Sequence, residues 1–100
     1  MVFLPDRMGM ARALELGLVN QVHDAAAYED AWRGLAARLA AGPPIAYRYM
    51  KENINRSVTG ELDTILELES THHRHTGTTA DHKEASQAFV DKRDPVFEGR

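Results

Sequence analysis

The sequence predicts an all-α chain of four or five helices. Three observations predict it. Apolar residues recur at three- and four-residue spacing from Tyr28 to Ala40, the period of one helix face. Gly42-Pro43-Pro44, Gly60 and Gly77 cut the chain into helix-sized pieces, as residues that break helices do. The only strand-like stretch, Leu18-Val-Asn-Gln-Val22, has no second stretch to pair with, and a lone strand leaves its backbone groups unpaired.

The first element is a short helix from about Met10 to Leu16, closed by Gly17, a residue that takes positive φ without steric penalty. The second runs from Tyr28 to Ala41, with Tyr28, Ala31, Trp32, Leu35, Ala36, Leu39 and Ala40 on one stripe. Neighbouring helices are expected to cover the part of that stripe holding Trp32, Leu35 and Leu39. Pro43-Pro44 stops this helix and opens the next, since proline is tolerated in a first turn. That third helix spans Ile45 to Val58, with Ile45, Ala46, Tyr49, Met50 and Ile54 inward and Lys51, Asn55 and Arg56 outward. A fourth follows Gly60, from Glu61 to about His75, with Leu62, Ile65, Leu66 and Glu69 on one stripe.

The last twenty residues, DHKEASQAFVDKRDPVFEGR, carry the most information. Asp81 and Glu84 have the spacing of a capping box. Pro95 ends the helix and pushes Asp94 out of the helical region. A helix from about His82 to Arg93 results, with Ala85, Ala88, Phe89 and Lys92 on one face. An aromatic ring beside a cation suits an adenine with a phosphate. The same pattern also describes an amphipathic helix with Phe89 in the core and Lys92 in water.

Composition bounds the function. One hundred residues make about one small domain. A net charge of −3 gives no electrostatic case for nucleic acid. There are no cysteines, so a disulfide framework, thiol nucleophile or thiolate metal site is excluded, and this fits a cytoplasmic protein. No apolar run approaches the roughly 18 residues of a membrane span. The opening MVFLPDR lacks the basic and long apolar regions of a signal peptide.

Glu69 and His72 form one Glu-x-x-His pair, but a carboxylate-bridged dimetal site needs two such motifs on facing helices. No metal site is expected. Histidines 72, 73 and 75 near a helix C-terminus also interact favourably with its negative end. Glu67 and Glu69 are two apart and point to different sides, so they cannot share a substrate. Glu69 on an apolar stripe is expected either to be buried with a partner or to face a neighbouring chain. No Ser-His-Asp arrangement or glycine-rich phosphate loop is present, so no catalytic residue is assigned.

The chain resembles the C-terminal part of the enoyl-CoA hydratase/isomerase (crotonase) family. The matching pieces are Ala13-Leu-Glu-Leu-Gly17-Leu-Val-Asn20, Leu35-Ala36, Leu39-Ala40, Pro43-Pro44, Lys51, Glu69 and Asp81-x-x-Glu84. The closing Ala88-Phe89-x-x-Lys92-Arg93-x-Pro95-x-Phe97-x-Gly99-Arg100 is the most specific. The resemblance covers essentially all of residues 1–100, and Met10 and Ala85 are mild departures from it.

The resemblance implies a C-terminal helical, trimer-building segment without the β-β-α core that holds the oxyanion hole and the catalytic acid. It implies an acyl-CoA thioester as substrate of the complete enzyme, homo-oligomeric contacts, and no cofactor beyond the coenzyme A of the substrate. Phe89 and Lys92 match the positions that lie against the adenine and phosphates of coenzyme A. The segment alone is then expected to be an inactive fragment. The competing expectation is a free-standing helical interaction module without CoA chemistry.

Overall fold

The computed structural model describes residues 6–100. Residues 1–5 lie outside the described residues, and with them the start of the MVFLPDR segment and of the Phe3 to Val22 region, which the family resemblance leads one to expect against other parts of the fold. Five helices follow one another: α1 (Met10–Glu15), α2 (Ala25–Ala40), α3 (Pro44–Ser57), α4 (Leu62–Gly77) and α5 (Ala80–Asp91). Among the described residues there is no β-strand, so the Leu18–Val22 piece is irregular chain. No helix among them is long and apolar enough to cross a membrane. The chain divides into two compact units, Met1–Ala36 and Ala37–Arg100.

In the first unit, α1 ends as its sequence requires. Gly17 takes φ 69°, its N–H bonds to the Leu14 carbonyl, and the Leu18 N–H bonds to the Ala13 carbonyl at 2.9 Å. These two bonds satisfy carbonyls that a helix end otherwise leaves open. Ala13 is the buried residue of this helix. On α2, Glu29 joins the Trp32 indole at 2.9 Å and Arg33 at 2.6 Å one turn on. The Tyr28, Trp32 and Leu35 side chains of this helix are exposed, with Trp32 at 41 %.

The second unit is built on α3 against α4 and α4 against α5. Pro44 opens α3 at its first position, where its missing N–H is no loss. The contact between α3 and α4 centres on His72, a buried imidazole. Its ring stacks on Tyr49 at 4.2 Å between centroids. Its Nδ1 donates to Asn53 Oδ1 at 2.6 Å, and Nε2 lies 3.7 Å from Glu52. The Arg48 guanidinium lies over the Tyr49 ring, 4.6 Å from its centroid.

This contact keeps Ile65 of the expected α4 stripe packed and leaves the rest of that stripe outside it. The packed positions are Ile65, Leu68, His72 and Thr76, while Leu62, Leu66 and Glu69 are exposed. Burial of Glu69 is thereby excluded. Met50 and Ile54, expected inward, are exposed on α3. A stacked ring pair and a satisfied polar contact have set the register where the sequence offered more leucine.

The His72 contact predicts a cost. His72→Ala removes a stacked pair and leaves Asn53 without its partner, so it should lower the unfolding free energy by about 1–3 kcal/mol. Chemical denaturation of the variant measures this, and an unchanged midpoint would show that α3 and α4 hold together by other means.

Candidate functional site

The candidate site is the C-terminal end of α5 with the tail behind it. The helix is capped at its start by Thr79, whose hydroxyl accepts from the His82 N–H at 3.1 Å. Asp81 is therefore not the cap that its spacing suggested. It sits inside the first turn, 4 % exposed, and its carboxylate accepts from the Glu98 N–H at 2.8 Å and the Gly99 N–H at 3.0 Å. The Asp81 N–H in turn donates to the Arg100 carbonyl at 3.0 Å.

Glu84, expected to reach back to the helix start, reaches forward. Its two oxygens take a forked pair of bonds from Arg93, at 2.5 and 3.0 Å, and one more from the Val96 N–H at 3.1 Å. Forked guanidinium–carboxylate pairs are the stronger, geometrically specific kind. The Arg93 bond first, and then the Val96 bond, hold the Glu84 carboxyl at about 2 against an ordinary 4.5. The same pairing raises the Arg93 guanidinium above its usual value.

Two carboxylates one turn apart thus fasten the tail along α5. The alanine between them and the helix end fits this role: Ala88 is 1 % exposed. Gly99 takes φ 77°, and a Cβ there would stand 3.1 Å from Pro44 Cγ, so both the turn and the close approach favour glycine.

The helix stops at Asp91, two residues before the expected end. Lys92 takes φ 54° and ψ 42°, the one non-glycine residue with positive φ among those described. The Lys92 N–H bonds to the Phe89 carbonyl, and the Arg93 N–H bonds to the Ala88 carbonyl at 3.0 Å. This is the same closure seen at Gly17, with lysine where glycine is usual. Relative to a helical residue, such a φ swings Cβ through roughly 120° about the N–Cα bond. The three-residue spacing therefore does not set where the Lys92 side chain points.

Phe89 is 85 % exposed, which removes it from any core and leaves an aromatic face open to solvent. A cleft of about 240 Å3 lies on the same unit, walled by Ile45, Ala46, His73, His82, Ala85 and Phe97. His72, the lone Glu-x-x-His histidine, points instead to Asn53 and Glu52.

The family profile described as Enoyl-CoA hydratase/isomerase matches residues 1–100. The chain belongs to the enoyl-CoA hydratase/isomerase family. It is 35 % identical over 100 residues to a 1,2-epoxyphenylacetyl-CoA isomerase of Escherichia coli, covering all of this chain and 38 % of that protein. Over 93 residues it is 30 % identical to a short-chain-enoyl-CoA hydratase of Clostridium acetobutylicum, covering 93 % of this chain and 36 % of the relative. A crystal structure of enoyl-CoA hydratase from Mycobacterium tuberculosis H37Rv superposes with a TM-score of 0.87 at 31 % identity, over 98 % of this chain and 39 % of that one. The chain therefore spans less than two fifths of the length of these relatives, and its five helices are one part of the crotonase fold.

Spacing had pointed to Phe89 and Lys92 but missed the anchors beside them. Asp81 and Glu84 were legible only as a cap, because Thr79 as the rival cap and the backbone donors of Val96, Glu98 and Gly99 become visible once the tail is placed. Folding lowers the Glu84 value, so its contribution is fully present above about pH 4.5 and is lost as pH falls through about 2. The difference in unfolding midpoint between the parent and Glu84→Gln should accordingly hold steady above pH 4.5, narrow below it and close near pH 2. A difference independent of pH in acid would detach it from this ion pair.

Proposed function

We propose that this chain is the C-terminal segment of an acyl-CoA-processing enzyme, contributing to subunit assembly and to the coenzyme A site. The observation that carries the proposal is the family match across residues 1–100, combined with a segment that spans only 38 % of a relative named for its action on a CoA thioester. The exposed apolar side chains Trp32, Leu35 and Leu39 support a role in assembly, since apolar surface left in water favours association. The exposed ring of Phe89 and the cation of Lys92 support contact with an adenine and a phosphate. The cytoplasm is the compartment where this reading places the enzyme.

In this reading the chemistry is enolate stabilisation by two backbone N–H donors with acid–base help from a carboxyl group. Those groups belong to the part of the fold that precedes these helices in the family. The 100-residue chain alone should leave a short enoyl-CoA unhydrated. Clear turnover by it would refute the division of labour.

In the complete enzyme, Lys92→Ala should raise the KM for acyl-CoA with kcat unchanged, because the contact is remote from the reacting carbons. A partly exposed charge–phosphate contact contributes on the order of 1 kcal/mol, roughly a fivefold change, and weakens with salt. Phe89→Ala should raise KM as well. In the 100-residue chain it should leave thermal stability nearly unchanged, since the ring is 85 % exposed there and packs little. An unchanged KM for Lys92→Ala at low salt would make Lys92 a solvated helix end and nothing more.

A further inference from the structure

Lys92 occupies a left-handed position that the chain's own glycines fill elsewhere, at Gly17 and Gly99. A lysine there is disfavoured unless its surroundings hold it. What holds it is the next residue. Arg93 is tied back to Glu84, nine positions earlier, by two bonds of 2.5 and 3.0 Å. A third contact joins Arg93 Nε to Asp91 at 3.5 Å. An α-helix continuing through Lys92 would carry Arg93 onward along the axis, away from the second turn. The chain has to reverse at Lys92 for Arg93 to face Glu84.

The reversal is secured beyond Arg93 as well. Val96 N–H bonds to the same Glu84 oxygen, and Glu98 and Gly99 bond to Asp81 one turn earlier. Asp81, Glu84 and Ala88 share one face of α5, and the tail runs along it. Phe89 follows Ala88 and so stands roughly 100° round the helix. The tail leaves the ring uncovered while dictating the backbone of Lys92 beside it.

We propose that Glu84, acting through Arg93, is a positioning residue for Lys92. The clasp fixes the left-handed turn and thereby fixes the direction of the Lys92 cation relative to Phe89. It sets how well the pair meets the phosphate-bearing, adenine-containing half of an acyl-CoA. The proposal rests on the reading of Phe89 and Lys92 as coenzyme A contacts. It adds that the geometry of this contact is controlled by a carboxylate that stands outside it.

The test is a double-mutant cycle in the complete enzyme, with acyl-CoA as the varied substrate. Glu84→Gln should raise KM about threefold and leave kcat unchanged, because one neutral amide cannot hold both guanidinium nitrogens as a carboxylate does. The same substitution made in a Lys92→Ala background should raise KM no further. Such non-additivity is the signature of one residue acting through another. Arg93→Lys, which keeps the charge and loses the fork, should behave like Glu84→Gln. In the 100-residue chain, both variants should speed amide exchange at Val96.

A Glu84→Gln effect of equal size with and without Lys92 would overturn the proposal and leave the clasp a merely structural brace. So would a fall in kcat alongside the rise in KM, or a KM that Glu84→Gln does not move. If Lys92→Ala itself leaves KM unchanged, the coenzyme A reading fails first and the positioning role falls with it. The two failures are thus told apart by which single variant is silent.

Discussion

The buried carboxylate of Asp81 is the constraint on which the C-terminal half depends. A carboxylate 4 % exposed has left bulk water, and this is costly unless its oxygens are hydrogen-bonded. The donors it takes are backbone N–H groups of Glu98 and Gly99. Donors on the backbone fix the course of the chain itself. Gly99 must then adopt its left-handed turn against Pro44, and the Arg100 carbonyl must close on the Asp81 N–H. The tail is thereby bound to the first turn of α5 and to the start of α3, and Phe97 is carried to the wall of the cleft beside His82.

Polar contacts of this kind carry much of the specificity because large apolar burial is scarce. Among the described residues the buried apolar side chains are Ala13 and Ala88, and none of the larger side chains is fully buried. Alanine contributes little transfer free energy compared with leucine or phenylalanine. What it permits is close approach, and Ala88 is almost wholly enclosed on the face of α5 that also carries Asp81 and Glu84. The register of α3 on α4 is likewise set by His72 against Tyr49 and Asn53. Hydrogen bonds each contribute only about 1 kcal/mol net, but their geometry admits few alternatives. Here they choose the arrangement, while Leu62 and Leu66 of the α4 stripe remain turned to solvent.

That division explains what could be read in the sequence. Helix ends were legible where one residue decides them. Gly17 acts through its positive φ, Pro43-Pro44 through fixed φ and missing N–H, and Gly60 through the room a Cβ would take from Ile65 and the Arg56 carbonyl; the observed ends fall within a few residues of those expected. The all-α class and the family ending were legible for the same reason: they are local patterns. The inward faces were legible only in part. Ile45, Ala46 and Tyr49 on α3 and Ile65 on α4 are half-buried as expected, but Met50, Ile54, Leu62, Leu66 and Glu69 are exposed, and Leu68, His72 and Thr76 pack instead. Periodicity reports which face is apolar, and it is silent on which partner side chain waits opposite. At the candidate site, type and spacing singled out Phe89 and Lys92, while the end of the helix falls at Asp91 and not near Arg93. The pull of Glu84 on Arg93 is a contact across nine residues that no local rule encodes.

The position of Lys92 is where local preference and structure disagree most plainly. Closing a helix with a left-handed residue favours glycine, and this chain uses glycine for that purpose at Gly17. Lysine in the same conformation gives up roughly 1 kcal/mol. The Glu84–Arg93 fork and the Asp81 bonds offset that strain by over-determining the turn. Local violations supported from elsewhere concentrate where a side chain has a task beyond folding. Glycine at this point would close the helix more easily and would also delete the cation. A glycine-closed helix with a lysine one residue earlier would keep the cation but place it on the helical face, turned by the change in φ. The observed arrangement alone combines a positive charge with the reversed backbone beside an open aromatic ring.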